Sequence, residues 1–156
     1  MNKNRILLVT AALCLTATAG AFAANPFIGT WKLDEAKSKF SSGAPKNHTV
    51  TYSEAKKDMI KVTVDGVDKD GKAVHWTWKG KFDGQPYKVK GSTTADTIAL
   101  KSVNERTNDM TVMKDGKVVQ TGTIAVAEDG KSRTVTTTST DAKGEKHTDE
   151  AYYTKE

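Results

Sequence analysis

The sequence predicts an all-β protein, an up-and-down antiparallel β-barrel of about 8–10 strands with one short helix after the first strand. Three observations carry that reading. Five Asp-Gly pairs punctuate the chain, at Asp65-Gly66, Asp70-Gly71, Asp83-Gly84, Asp115-Gly116 and Asp129-Gly130. Asp-Gly suits the type I′ turn, whose two central residues both need positive φ. The segments between these pairs alternate apolar and polar residues or are rich in Thr and Val, the composition of short antiparallel strands. A meander of about ten such strands has to hide its two edges, and closing into a barrel does so.

Residues 1–23 have the layout of a cleaved bacterial export signal. Lys3 and Arg5 form a basic start, Ile6 to Ala19 an apolar core too short for a membrane span, and Ala21-Phe22-Ala23 a small-x-small cleavage site. The mature protein is then residues 24–156, one domain, periplasmic, with no membrane span. Cys14 is the only cysteine and leaves with the signal, so the domain carries no thiol and no disulfide. Loss of Lys3 and Arg5, with no acid lost, lowers the formal charge from +5 to +3. The remaining lysines alternate with Asp and Glu and form no basic block, which argues against nucleic acid as a partner.

Gly29-Thr30-Trp31-Lys32-Leu33 reads as the first strand. Asp34 to Phe40 is the one helical candidate: Asp34 suits an N-cap, Glu35 the first turn, and Lys37 and Lys39 the end. Strands are expected over His48–Glu54, Met59–Asp65, Ala73–Phe82, Pro86–Lys90, Asp96–Val103, Asp109–Lys114, Lys117–Ala127, Ser132–Thr140 and His147–Lys155. The period of two is clearest where Ile60, Val62 and Val64 share one face and Val74, Trp76, Trp78 and Phe82 another. In Ser132–Thr140 the Thr run has high β-propensity but does not say which face is buried. Lys143-Gly144 marks a sixth turn.

The opening Phe27-Ile28-Gly29-Thr30-Trp31-Lys32-Leu33 resembles the first strand of the calycin superfamily, the lipocalins and intracellular fatty-acid-binding proteins. The resemblance implies that Gly29 and Trp31 are structural, with Trp31 packed across the closed end of a barrel. The layout, ending in Tyr152-Tyr153-Thr154-Lys155, looks like the fatty-acid-binding branch. It is also similar to small exported bacterial proteins that begin Gly-Thr-Trp-Lys-Leu. That branch has two helices after its first strand and an Arg-x-Tyr in its last, whose Arg helps hold a carboxylate. Here the insert is one short helix, and Ala151 stands two residues before Tyr153.

Trp76, Trp78 and Phe82, on one face of one strand, either fill the core or line a cavity for a small, largely apolar molecule. On the second reading Ile98, Leu100 and Tyr153 line the site with them, and Phe40 helps close the mouth. Tyr87, Tyr153, Arg106 and Arg133 are candidate polar anchors inside the barrel or at its mouth; Arg106 sits in a turn, and Arg133 either reaches an anionic ligand group or stacks on a ring or, the preferred reading, lies at the surface. His48, His75 and His147 are the three histidines; His147 and Asp149 share a strand face, too few ligands for a metal site. No nucleophile triad, zinc-protease motif or phosphate loop is present, so no catalytic residue, metal or cofactor is expected. The function expected is non-enzymatic binding or carriage of a small apolar ligand. The rival is a filled barrel that works as an interaction module or inhibitor through the loops Gly66–Gly71 and Gly91–Ala95.

Overall fold

The computed structural model describes residues 24–141 and 143–156, so the export signal expected over residues 1–23 lies outside the described residues. The strands are β1 Gly29–Leu33, β2 Lys46–Ala55, β3 Met59–Val67, β4 Ala73–Gly80, β5 Asp83–Lys90, β6 Thr97–Asn104, β7 Thr107–Lys114, β8 Lys117–Val126, β9 Ser132–Thr140 and β10 Lys146–Lys155. Each pairs antiparallel with its neighbours in sequence. β1 closes on β10 through Trp31↔Lys155, Lys32↔Thr154 and Leu33↔Tyr153, making a closed ten-stranded up-and-down barrel. Closure leaves no edge strand exposed, which a chain this rich in Thr and Val requires.

Alternation fixes the core. Val50 and Tyr52 of β2, Val62 and Val64 of β3, Trp78 of β4, Ile98 and Leu100 of β6, Val112 of β7, Ile124 and Val126 of β8, and Ala151 and Tyr153 of β10 are all buried. The face of β9 that sequence left open is settled by register. Arg133 lies opposite Tyr153 and Val126, and Val135 opposite Ala151 and Ile124, so Arg133, Val135, Thr137 and Ser139 point inward. The outward residues form cross-strand rows. Thr30, Thr51, Thr63 and Thr77 are successive partners on β1 to β4. Thr111, Thr121, Thr138 and Thr148 are successive partners on β7 to β10.

Three expectations need correction. The helix over Asp34–Phe40 is a single 3-10 turn, Glu35–Lys37, capped by the Asp34 side chain, which accepts from the Lys37 N–H. The chain then leaves helical geometry because Lys39 exchanges backbone hydrogen bonds with Glu150 of β10 (2.7 and 2.8 Å), a long-range pairing that overrides a weak local preference. β4 ends at Gly80, so Phe82 lies beyond the strand. Of the five Asp-Gly pairs, only Asp115-Gly116 has positive φ at both residues (50° and 73°). Asp65-Gly66 lies inside β3, and Asp83-Gly84 opens β5 at a register shift. At Asp70-Gly71 and Asp129-Gly130 the glycine alone has positive φ (77° and 68°).

Candidate functional site: the interior and the two ends of the barrel

One end of the barrel is plugged. Asn25 accepts from the Phe27 N–H at 3.1 Å and turns the chain inward. Phe27 O in turn accepts from Trp31 Nε1 at 2.9 Å. Phe27 and Trp31 are 2% and 0% exposed. Phe82 meets Phe27 edge to face at 5.4 Å, and Tyr52 lies 6.4 Å away. Gly29 has φ +128°, and a Cβ there would run into the Lys155 side chain. That side chain crosses to donate to Pro26 O at 3.0 Å.

Arg133 is the residue the sequence misplaced. It is 2% exposed, with its guanidinium 4.8 Å from the Trp31 ring, 4.8 Å from Tyr153 and 5.0 Å from Tyr52. A cation takes such a place because the ring faces carry negative charge density. Asn108 of β7 is also fully buried on the inner face. Its Nδ2 and Oδ1, like Nε and Nη1 of Arg133, have no hydrogen-bond partner among the described residues.

The opposite end is less tightly filled. Trp76 shares a face with Trp78 and lies opposite Val64 in register, yet it is only half-buried, as are Leu33, Val89, Gln120, Thr137 and Ser139. The stretch of residues 38–45 runs along this rim. Asp149 anchors it, accepting from the Ser41 N–H at 2.6 Å and its hydroxyl at 2.7 Å. Ser38 Oγ accepts from the Tyr152 N–H at 2.9 Å. Phe40 packs partly buried against the core from this loop. Beside it lies a groove of about 430 Å³ lined by Phe40, Ala44 and Val67 and by Glu35, Lys46 and His48. Lys46 donates to Glu35 at 2.6 Å and holds its carboxyl below the usual range. A second groove of about 370 Å³ lies outside the plugged end, between Pro26, Phe82, Arg106 and Ala127.

The seven residues expected to share a pocket are therefore divided. Trp78, Ile98 and Leu100 are buried in the core, with Trp78 Nε1 donating to Ile98 O at 2.9 Å. Tyr153 sits with Arg133, its hydroxyl donating to Asn47 O at 2.9 Å. Phe82 is at the plugged end; Trp76 and Phe40 are toward the other. Tyr87 is half-buried, edge to face with Trp78 at 5.8 Å, with its hydroxyl on Asp83 at 2.8 Å. Arg106 is exposed in its turn.

The histidines pair with acids at the surface. His75 Nδ1 lies 2.6 Å from Asp65, and His147 Nε2 3.1 Å from Asp141. Asp149 faces Ser41 instead of His147. Ligand atoms of Asp141, Glu145 and His147 fall within 4.8 Å of one another. Asp141 already accepts from the N–H groups of Lys143 and Glu145 in its own turn.

No family model matches the chain, and no curated protein matches it. Among solved structures it is similar to a redesigned β-barrel, mFAP1, bound to DFHBI, with 14% identity, 83% of this chain and 96% of that chain covered, and a TM-score of 0.45.

Proposed function

We propose that this protein is an exported, non-enzymatic, calycin-like barrel that binds a small, largely apolar molecule through the end opposite the Phe27 plug. The single observation behind this is the asymmetry of the inner wall. At the plugged end Phe27, Trp31 and Tyr52 are buried behind a half-buried Phe82, whereas at the other end Trp76, Leu33 and Val89 of the inner surface all stay half-buried under the rim of residues 38–45. Half-buried apolar side chains at a barrel mouth are what an apolar ligand covers on binding. On this reading Trp76 and Phe40 touch the ligand first, Trp78, Ile98 and Leu100 form its floor, and Tyr153 and Phe82 act from behind as structure.

The test uses the protein as secreted. Titration with 1-anilinonaphthalene-8-sulfonate, retinol and decanol should give saturable 1:1 binding, with quenching of Trp emission that Trp76→Phe removes. A panel that leaves emission and melting temperature unchanged overturns the reading. The interaction-module alternative has one observation in its favour: both grooves are rim features, and the one beside Phe40 is lined by Val67 at the end of β3 and by Asp68, Lys69 and Gly71 of the β3–β4 turn.

A further inference from the structure

Arg133 is a permanently charged group, 2% exposed, to which the described residues give no counter-charge. Among the described residues neither Arg133 nor its neighbour Lys155 takes part in an ion pair. Lys155 approaches the same Trp31 ring, at 4.9 Å against 4.8 Å for Arg133. Burial, and then the Arg133 charge, hold its ammonium below the usual lysine range. The acid on the inner face of β10, Asp149, is committed to Ser41 at the other end of the barrel. Two cations therefore share one indole, and the plugged end carries a local excess of positive charge.

The aromatic contacts do not discharge it. Rings attract a guanidinium through its flat faces, whereas its N–H groups lie in the plane and project from its edges. Here the rings of Trp31, Tyr52 and Tyr153 occupy its surroundings at 4.8–5.0 Å, and the N–H groups at Nε and Nη1 remain unmet. The Asn108 amide, inward on β7, adds a second unmet donor at the same end of the barrel. Buried donors are almost always satisfied, and a buried charge without a partner is among the costliest features a fold can keep.

We propose that the plugged end of the barrel is a monoanion site, in which one resident singly charged anion accepts hydrogen bonds from Arg133 and Asn108. The occupant is a free halide; the rival is the carboxylate of an amphipathic anion, which has to pass the Trp78 floor of the ligand-binding reading above.

Thermal melts at constant ionic strength distinguish them. Replacing sodium gluconate by sodium bromide should raise the melting temperature of the wild-type protein saturably, by a few degrees, as expected of a ligand that binds only the folded state. The rise should be absent in Arg133→Met and reduced in Asn108→Leu. In bromide-soaked crystals an anomalous peak beside the Arg133 guanidinium shows the halide directly, and it needs no variant to fold. If decanoate stabilises and decanol and bromide do not, the occupant is a carboxylate, and both the halide assignment and the Trp78 floor are overturned. If decanol stabilises as well as decanoate, with no bromide effect, the monoanion site is overturned and apolar binding stands. If none of the three shifts the melt and bromide peaks lie only on the surface, both readings fall.

Discussion

Tyr153 links burial to pH dependence at the scale of one residue. Its ring is 3% exposed, and burial pushes its pKa up to about 12, against the pull of the nearby Arg133 charge. A folded-state value above the ordinary tyrosine value near 10 means the folded protein holds this proton more tightly than the unfolded chain does. The resulting stabilisation is complete below pH ~10 and is lost as pH rises from about 10 through about 12, by roughly 2–3 kcal/mol in all. Urea midpoints measured from pH 9 to 11.5 should fall accordingly, and Tyr153→Phe should flatten the fall. At pH 9 that variant should lose about 1 kcal/mol with the hydrogen bond to Asn47. A variant as pH-sensitive as wild type removes Tyr153 as the cause. Tyr153 was expected inward because the end of its strand resembles the last strand of the fatty-acid-binding branch; Arg133 was not, because its neighbours are nearly all Thr and Ser. One signal was available. Val135 is the sole aliphatic residue of Ser132–Thr140, and a residue two before it shares its face.

At the scale of elements, the sequence located strands well because alternation and turn residues are local properties. It located turn types less well, since register belongs to pairs of strands. Asp65-Gly66 has the composition of a turn, yet β2 approaches so closely at its bulge that a Cβ on Gly66 would strike Lys46 O and Asn47 Cα. The glycine is required there by the neighbouring strand, a reason invisible in one segment. Gly80 makes the same point with side chains. A Cβ at this position would meet the rings of Trp78 and Tyr87, which lie edge to face at 84° beneath it. Gly80→Ala is therefore expected to cost about 1–3 kcal/mol, as overpacking does. A thermal melt and near-ultraviolet circular dichroism read it. In a Tyr87→Ala background the same substitution should cost distinctly less, because one of the two rings it strikes is gone. Equal costs in both backgrounds would locate the strain elsewhere. The threonine rows are steadying features of the outer surface. Thr30 and Thr51, and Thr138 and Thr148, bring their hydroxyls to 3.2 Å, so the outward face is bonded across strands as well as solvated.

Across the whole molecule the barrel wall is uneven, and the uneven place is predictable from pairing. β2 and β3 share nine register pairs, as do β9 and β10, whereas β4 and β5 share only Thr77↔Lys90 and Trp78↔Val89. The cause lies in the residues that follow β4. Pro86 has no N–H to offer a ladder, the Asp83/Pro86 register shift turns β5 toward β6, and Asp83 is drawn to the Gln85 N–H and Tyr87 hydroxyl. What closes the gap is packing: Tyr87 on Trp78, with Gly80 leaving room for both rings. A wall held by two side chains opens at lower free energy than one held by a long ladder. Amide hydrogen exchange should accordingly be fastest, among the strand segments, over residues 79–90, and slowest over β2–β3 and β9–β10. Tyr87→Ala should accelerate exchange in that segment selectively, by about tenfold for each 1.4 kcal/mol of lost packing, while leaving β9–β10 unchanged. A small apolar ligand seated against Trp76 and Trp78 should slow exchange at the same seam, because it packs on the inner side of the strands that flank it. Uniform exchange around the barrel, or protection that ignores the seam when decanol is bound, would show that the two-pair junction is no weaker than its neighbours.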